Sequence, residues 1–169
     1  MSILSVNHLS KKINNKVILE NISFSLGEGH IVGLVGANGA GKTSLMKVIL
    51  GYSDYQEGHF TSIRQDENHC NIGALIENPG LYPFMSGYDN LKLLNESNGT
   101  SSINKIVDDL KMNKYIHNKV KTYSLGMKQK LGIAIAFLND PKLIILDEPM
   151  NGLDPVSYTH LTLPTKRIV

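Results

Sequence analysis

Apolar and polar positions alternate at the start of the chain. Ser2-Ile3-Leu4-Ser5-Val6 has the period of two of a half-buried strand. The alternation predicts strands over residues 3–9 and 17–26, joined by a polar turn at Asn14-Asn15. Gly27-Glu28-Gly29 marks a second turn. Ile31-Val32-Gly33-Leu34-Val35 then runs almost continuously apolar, as a strand buried on both faces does. Ser44 to Leu50 reads as a helix closed by Gly51. His59 to Ile63 and Asn71 to Ile76 read as short strands, the latter broken by Asn78-Pro79-Gly80. From Ser86 the spacing lengthens to that of helices: Leu91, Leu93 and Leu94, then Ile103, Ile106, Val107 and Leu110. Ser86, and Ser101 or Ser102, stand where caps are expected. Lys128 to Leu138 predicts another helix. After Pro141, Leu143-Ile144-Ile145-Leu146 is an apolar run of the parallel-sheet kind.

Between the third predicted strand and its helix lies Gly36-Ala37-Asn38-Gly39-Ala40-Gly41-Lys42-Thr43. It fits the phosphate-loop pattern G-x-x-x-x-G-K-[ST] in the strand–loop–helix setting that pattern requires. Glycines let successive backbone N–H groups turn inward as an anion nest, and the helix adds its positive end. Lys42 is expected to reach the β- and γ-phosphates, and the Thr43 hydroxyl to take a Mg²⁺ position, with Ser44 next to it.

The last apolar strand delivers Asp147-Glu148 at its C-terminal end, where a parallel sheet places its chemistry. Asp147 is expected to hold Mg²⁺ and Glu148 to polarise a water aimed at the γ-phosphate. Tyr123-Ser124-Leu125-Gly126-Met127-Lys128-Gln129 precedes a helix. Alone, it reads as an N-cap by Ser124. A second anion-binding helix start has a use only if it meets a second nucleotide, held by a partner subunit.

The bulk numbers narrow the class. With 169 residues, 41% apolar and 19% charged, the chain is expected to be one globular domain. A net charge of +2 with scattered basic residues gives no nucleic-acid surface. Cys70 is the single cysteine, so no intrachain disulfide can form, and it reads as a buried thiol in or beside a strand. No apolar run has bilayer length, and the N-terminus lacks a signal-peptide pattern. The expectation is a soluble, cytoplasmic protein.

Together these motifs resemble the ATP-binding-cassette (ABC) ATPases, over residues 2–155. Gly36 to Thr43 matches the Walker A loop and Leu143 to Glu148 the Walker B strand. Ser124 to Gln129 looks like the signature motif, with Leu125 and Met127-Lys128 as variants, and Asn151-Gly152-Leu153-Asp154 looks like the D-loop. The resemblance implies an α/β P-loop cassette: an antiparallel β subdomain, a parallel-sheet core and a small helical subdomain at about residues 78–135. It implies ATP and Mg²⁺ as ligands and a head-to-tail pair of ATPase subunits, a homodimer or two close homologues. Each ATP then lies between Walker A of one subunit and Ser124 and Gly126 of the other. Separate membrane permease subunits would hold the chain at the inner face of the membrane, with no nucleic acid involved. Glu148, Lys42 and Glu77 are the expected catalytic residues, and Thr43, Glu77 and Asp147 the metal ligands.

Three departures shape the expectation. Ile13 stands where the family offers an aromatic residue to adenine, so stacking is weaker and affinity comes mostly from the triphosphate. Glu77 replaces the Q-loop glutamine, which keeps an oxygen donor and adds a charge. The run Gly73 to Pro83 looks like the bacitracin-resistance and lantibiotic-immunity branch. That implies export or membrane clearance of a peptide antibiotic, with Tyr82, Pro83 and Phe84 either lining a groove for the permease or packing in the core. Finally, the resemblance stops after Pro155. Residues 156–169 read as a non-family tail, an assembly artefact or frameshift, which leaves the cassette incomplete at its C-terminus. His160 comes only six positions after Asp154, too early for the family's switch histidine. Poor folding and slow hydrolysis are expected of such a chain. The competing readings are a soluble ABC ATPase acting in translation or on DNA, and an inactive truncated nucleotide-binding fragment.

Overall fold

The computed structural model describes residues 2–62, 72–96 and 99–149. Cys70, the Asn151–Asp154 motif and the 156–169 tail lie outside the described residues. Two compact units are present, one within residues 1–64 and the other within 65–166.

The first unit is an antiparallel sheet of β1 (Ser2–Ile13), β2 (Lys16–Gly27) and β3 (Glu57–Ser62) in the order β2-β1-β3, with helix α1 at Lys42–Ile49. The hairpin turns at Asn14 and Asn15, both left-handed with φ of 48° and 63°. Two successive left-handed residues match the twist of a tight hairpin, and asparagine tolerates that conformation best after glycine. A register shift falls between Val6 and Leu9, where His8 adopts φ 50° and its N–H is taken by the Ser23 hydroxyl at 2.8 Å. This bulge resets the alternation, so Leu4, Val6 and Leu9 are all buried although Leu9 is three residues beyond Val6. Lys11 is buried too, its ammonium donating to the Asp54 carbonyl.

Ile31–Val35 does not form the expected strand. These residues have no regular structure, and Ile31, Val32 and Val35 are 67, 60 and 95% exposed. A strand is completed by hydrogen-bonded neighbours, and an apolar run of this kind needs cover on both faces. No described strand pairs with it.

The second unit holds a parallel pair, β4 (Ile72–Leu75) and β5 (Leu143–Leu146), in the register Ile72↔Leu143 to Leu75↔Leu146. Helices α2 (Gly87–Leu94), α3 (Ser101–Asp109) and α4 (Leu125–Phe137) pack around one core. Ser86 caps α2 by accepting the Asp89 N–H, as expected. Helix α3 starts from Thr100 instead of a serine cap, with no side-chain cap bond. Helix α4 begins at Leu125, three residues before the predicted start, because the Ser124 cap sets its first turn. Leu131, Ile133, Ala134 and Ala136 are buried on more than one of its faces, as in a helix enclosed by core. Leu91 is fully buried in α2, whereas Leu93 and Leu94 are exposed.

An aromatic pair closes this core. The rings of Tyr115 and Tyr123 meet edge-on at 5.2 Å, and the Tyr123 hydroxyl donates to the Tyr115 carbonyl at 2.9 Å. Burial raises both phenol pKa values above the ordinary range, and for Tyr115 the nearby Tyr123 adds to it.

Candidate functional site

In the first unit, the phosphate-loop residues turn tightly before α1. The Ala40 N–H bonds the Ala37 carbonyl at 3.1 Å, and Gly39 and Gly41 take φ of 82° and 90°. Gly41 is the N-cap of α1, and a Cβ on it would lie 2.6 Å from the Ile18 carbonyl oxygen in β2. Only glycine suits both that backbone angle and that approach. The loop folds around its own lysine: Lys42 Nζ donates to the carbonyls of Gly36 at 2.7 Å and Ala37 at 2.9 Å. Residues 31–40, which run into this loop, are all exposed. Thr43 and Ser44 follow in the first helical turn, partly buried, where first-turn N–H groups lack intrahelical partners. Ile13, 47% exposed, ends β1 opposite Lys16 at the hairpin tip.

In the second unit, the parallel register brings three carboxylates to one end of the strand pair. Leu75 pairs with Leu146, so Glu77 follows β4 by two residues where Asp147 and Glu148 follow β5. The Asp147 N–H bonds the Leu75 carbonyl at 2.8 Å and extends the ladder to the acid itself. Asp147 is buried, while Glu148 and Glu77 are exposed. Both exposed acids are left-handed, with φ of 46° and 57°. Longer side chains adopt that conformation where surrounding contacts hold it, commonly at functional sites.

The start of α4 lies in the same unit. The Ser124 hydroxyl accepts the Met127 N–H at 3.3 Å, the ordinary N-cap bond. Ser124 and Leu125 are exposed and Gly126 is partly buried. The first-turn amides of an exposed helix start point outward and favour an anion.

Each unit by itself carries groups of the kind a magnesium nucleotide needs. The first has an ammonium and a glycine-built turn at a helix start. The second has the hard oxygen donors Asp147 and Glu77 at one end of a strand pair. Among the described residues no group of three or more His, Cys, Asp or Glu forms a metal cage. Mg²⁺ usually has one or two carboxylates, with phosphate and water completing its shell.

Two features of this unit were not anticipated from the chain. Gln129, buried within α4, donates from Nε2 to the Glu148 carbonyl at 3.4 Å. Asn90, fully buried, holds the turn before α2: its Oδ1 accepts the Tyr82 N–H at 2.8 Å, and its Nδ2 donates to the carbonyls of Tyr82 at 3.2 Å and Ser86 at 2.8 Å. Tyr82 and Phe84, at and beside this clamped turn, are 51 and 77% exposed, so they are not core residues. A polar residue amid helical apolar positions was the available signal in each case. Its partner, distant in sequence, was not.

Residues 19–151 match the family model described as ABC transporter. The uncharacterized ABC transporter ATP-binding protein YdbJ of Bacillus subtilis is 44% identical over 162 residues, covering 90% of this chain and 53% of that protein. The lantibiotic transport ATP-binding protein SrtF of Streptococcus pyogenes is 37% identical over 163 residues, covering 94% of this chain and 71% of that protein. The chain thus spans about half the length of the first of these relatives. A solved structure described as an ATP-binding subunit of an ABC transporter superposes with a TM-score of 0.79 at 27% identity, over 94% of this chain and 71% of the other.

Proposed function

Because the chain belongs to the ABC transporter ATP-binding family, with its α/β cassette fold, we propose that it binds and hydrolyses ATP to drive a separate membrane permease. The observation that carries this reading is the phosphate loop folded around Lys42, with Gly39 and Gly41 left-handed and α1 starting directly behind it. Gly36 to Gly41 would wrap the phosphates with backbone amides, and Lys42 would move from the loop carbonyls onto the β- and γ-oxygens. Thr43, Asp147 and Glu77 would hold Mg²⁺, which would supply positive charge against the negative charge developing on the phosphates. Glu148 would accept a hydrogen bond from the attacking water and orient it in line with the γ-phosphate.

Ile13 would cover the adenine without stacking on it. Ser124 and Gly126, of a second copy or a close homologue, would close over the same triphosphate. That gives the exposed helix start of α4 a ligand. No described helix is long and apolar enough to cross a membrane. On the family reading, the permease would be a separate partner, holding this chain at the cytoplasmic face. The likeness to SrtF, whose name is that of a lantibiotic transport protein, supports a peptide antibiotic as the cargo. It also favours transport over the soluble translation- or DNA-related reading.

Steady-state Mg-ATP hydrolysis by the wild type and Glu148→Gln tests the proposal. A slow wild-type turnover that falls at least about 100-fold in the variant supports it. Equal rates would remove the hydrolytic role of Glu148.

A further inference from the structure

Helix α4 touches both acid-bearing strand ends. Gln129, in its second turn, is 5% exposed and donates to the Glu148 backbone carbonyl at 3.4 Å. Three residues on, Gly132 lies against the loop that follows Glu77. A Cβ at that position would come within 2.7 Å of Pro79 Cβ and 2.9 Å of Leu75 Cδ1. The same helix starts at the Ser124 cap. One helix therefore connects an exposed helix start to the backbone of Glu148 and to the side chains of Leu75 and Pro79, which flank Glu77.

Glu148 most needs such support. Its φ of 46° is a conformation that a long side chain keeps only where neighbours hold it. The Asp147 N–H, bonded to Leu75, anchors the residue before it. Gln129 anchors Glu148 itself. Loss of the amide would leave the carbonyl unpartnered by α4 and let the peptide relax toward an ordinary angle, swinging the carboxylate off line.

We infer that Gln129 is a positioning residue for hydrolysis: its amide fixes the backbone of Glu148 and ties that carboxylate to the helix that begins at Ser124. The inference rests on the proposed role of Glu148. Gln129 touches neither nucleotide nor metal in this scheme, so its effect belongs to kcat and not to binding.

The test is turnover against ATP concentration for wild type, Gln129→Leu, Gln129→Glu and Glu148→Gln, and for Gln129→Leu combined with Glu148→Gln. Gln129→Leu keeps the volume and lacks the donor. Its kcat is expected to fall about three- to tenfold, the range one hydrogen bond supports. Gln129→Glu sets an acceptor against the carbonyl and is expected to lose more. KM for ATP stays within about twofold in both, because the Lys42 loop is untouched. In the Glu148→Gln background the Gln129→Leu loss vanishes, since the two residues act as one unit. Melting temperatures recorded alongside separate unfolding from misplacement. Three outcomes overturn the inference: wild-type kcat in Gln129→Leu, an undiminished loss in the double variant, or a loss that melting alone explains. Failure of the hydrolytic reading shows separately, as wild type no faster than Glu148→Gln, a comparison that does not involve Gln129.

Discussion

Lys42 was legible as a candidate phosphate ligand from spacing alone, and the structure adds which groups its ammonium touches. Its ammonium bridges two loop carbonyls, so the loop is ordered around a positive charge. Lys42→Ala should weaken Mg-ATP binding by about 10- to 100-fold, the worth of charge-assisted hydrogen bonds to phosphate, as measured by titration with a fluorescent nucleotide. Gly41 was legible as a loop glycine, whereas its approach to Ile18 was not, because that contact joins residues far apart in sequence. Gly41→Ala should cost about 1–3 kcal/mol in denaturant unfolding, from strain at a positive φ and the clash with Ile18. The tyrosine pair predicts a pH response. Both phenols have pKa values raised by burial, so folding favours their neutral forms. Their contribution is complete below the ordinary phenol pKa of about 10 and is lost as pH rises above it. Melting temperature measured from pH 8 to 11.5 should hold steady and then fall above about pH 10, with a shallower fall in Tyr123→Phe.

Among elements, the contrast is between β5 and residues 31–35. Both were read as continuous apolar strands. Leu143–Leu146 pairs with β4 residue by residue, while Ile31–Val35 has no described strand beside it and stays exposed. Apolar runs record a need for cover, and the covering element is not written in the run itself. Helix α4 shows a smaller limit. Its apolar positions announced a helix, but its start was set by the single bond between Ser124 and the Met127 N–H. Ser124→Ala should remove about 1 kcal/mol of stability through the lost cap. If the same helix start closes over nucleotide, ATP turnover should fall further than that destabilisation explains. Ser124→Asp, which restores a cap and adds negative charge, separates the two roles. It should recover the melting temperature and still hydrolyse ATP poorly.

At the scale of the whole molecule, family membership follows from a match over residues 19–151, and the relatives extend well beyond the length of this chain. The order of glycine loop, Ser124 helix and Asp147-Glu148 was legible in the sequence because each is a local pattern. That Glu77, Asp147 and Glu148 share one end of a parallel pair required the register of β4 on β5. In the proposed scheme, taken as a homodimer, two copies would clamp a shared triphosphate, one through its glycine loop and the other through the helix start at Ser124. Sedimentation of Glu148→Gln with and without Mg-ATP tests it most directly, because the variant is expected to bind nucleotide without consuming it. The account predicts a mass that doubles with Mg-ATP, stays monomeric with Mg-ADP, and fails to double once Lys42→Ala is added. A mass unchanged by ATP at saturating occupancy would contradict it.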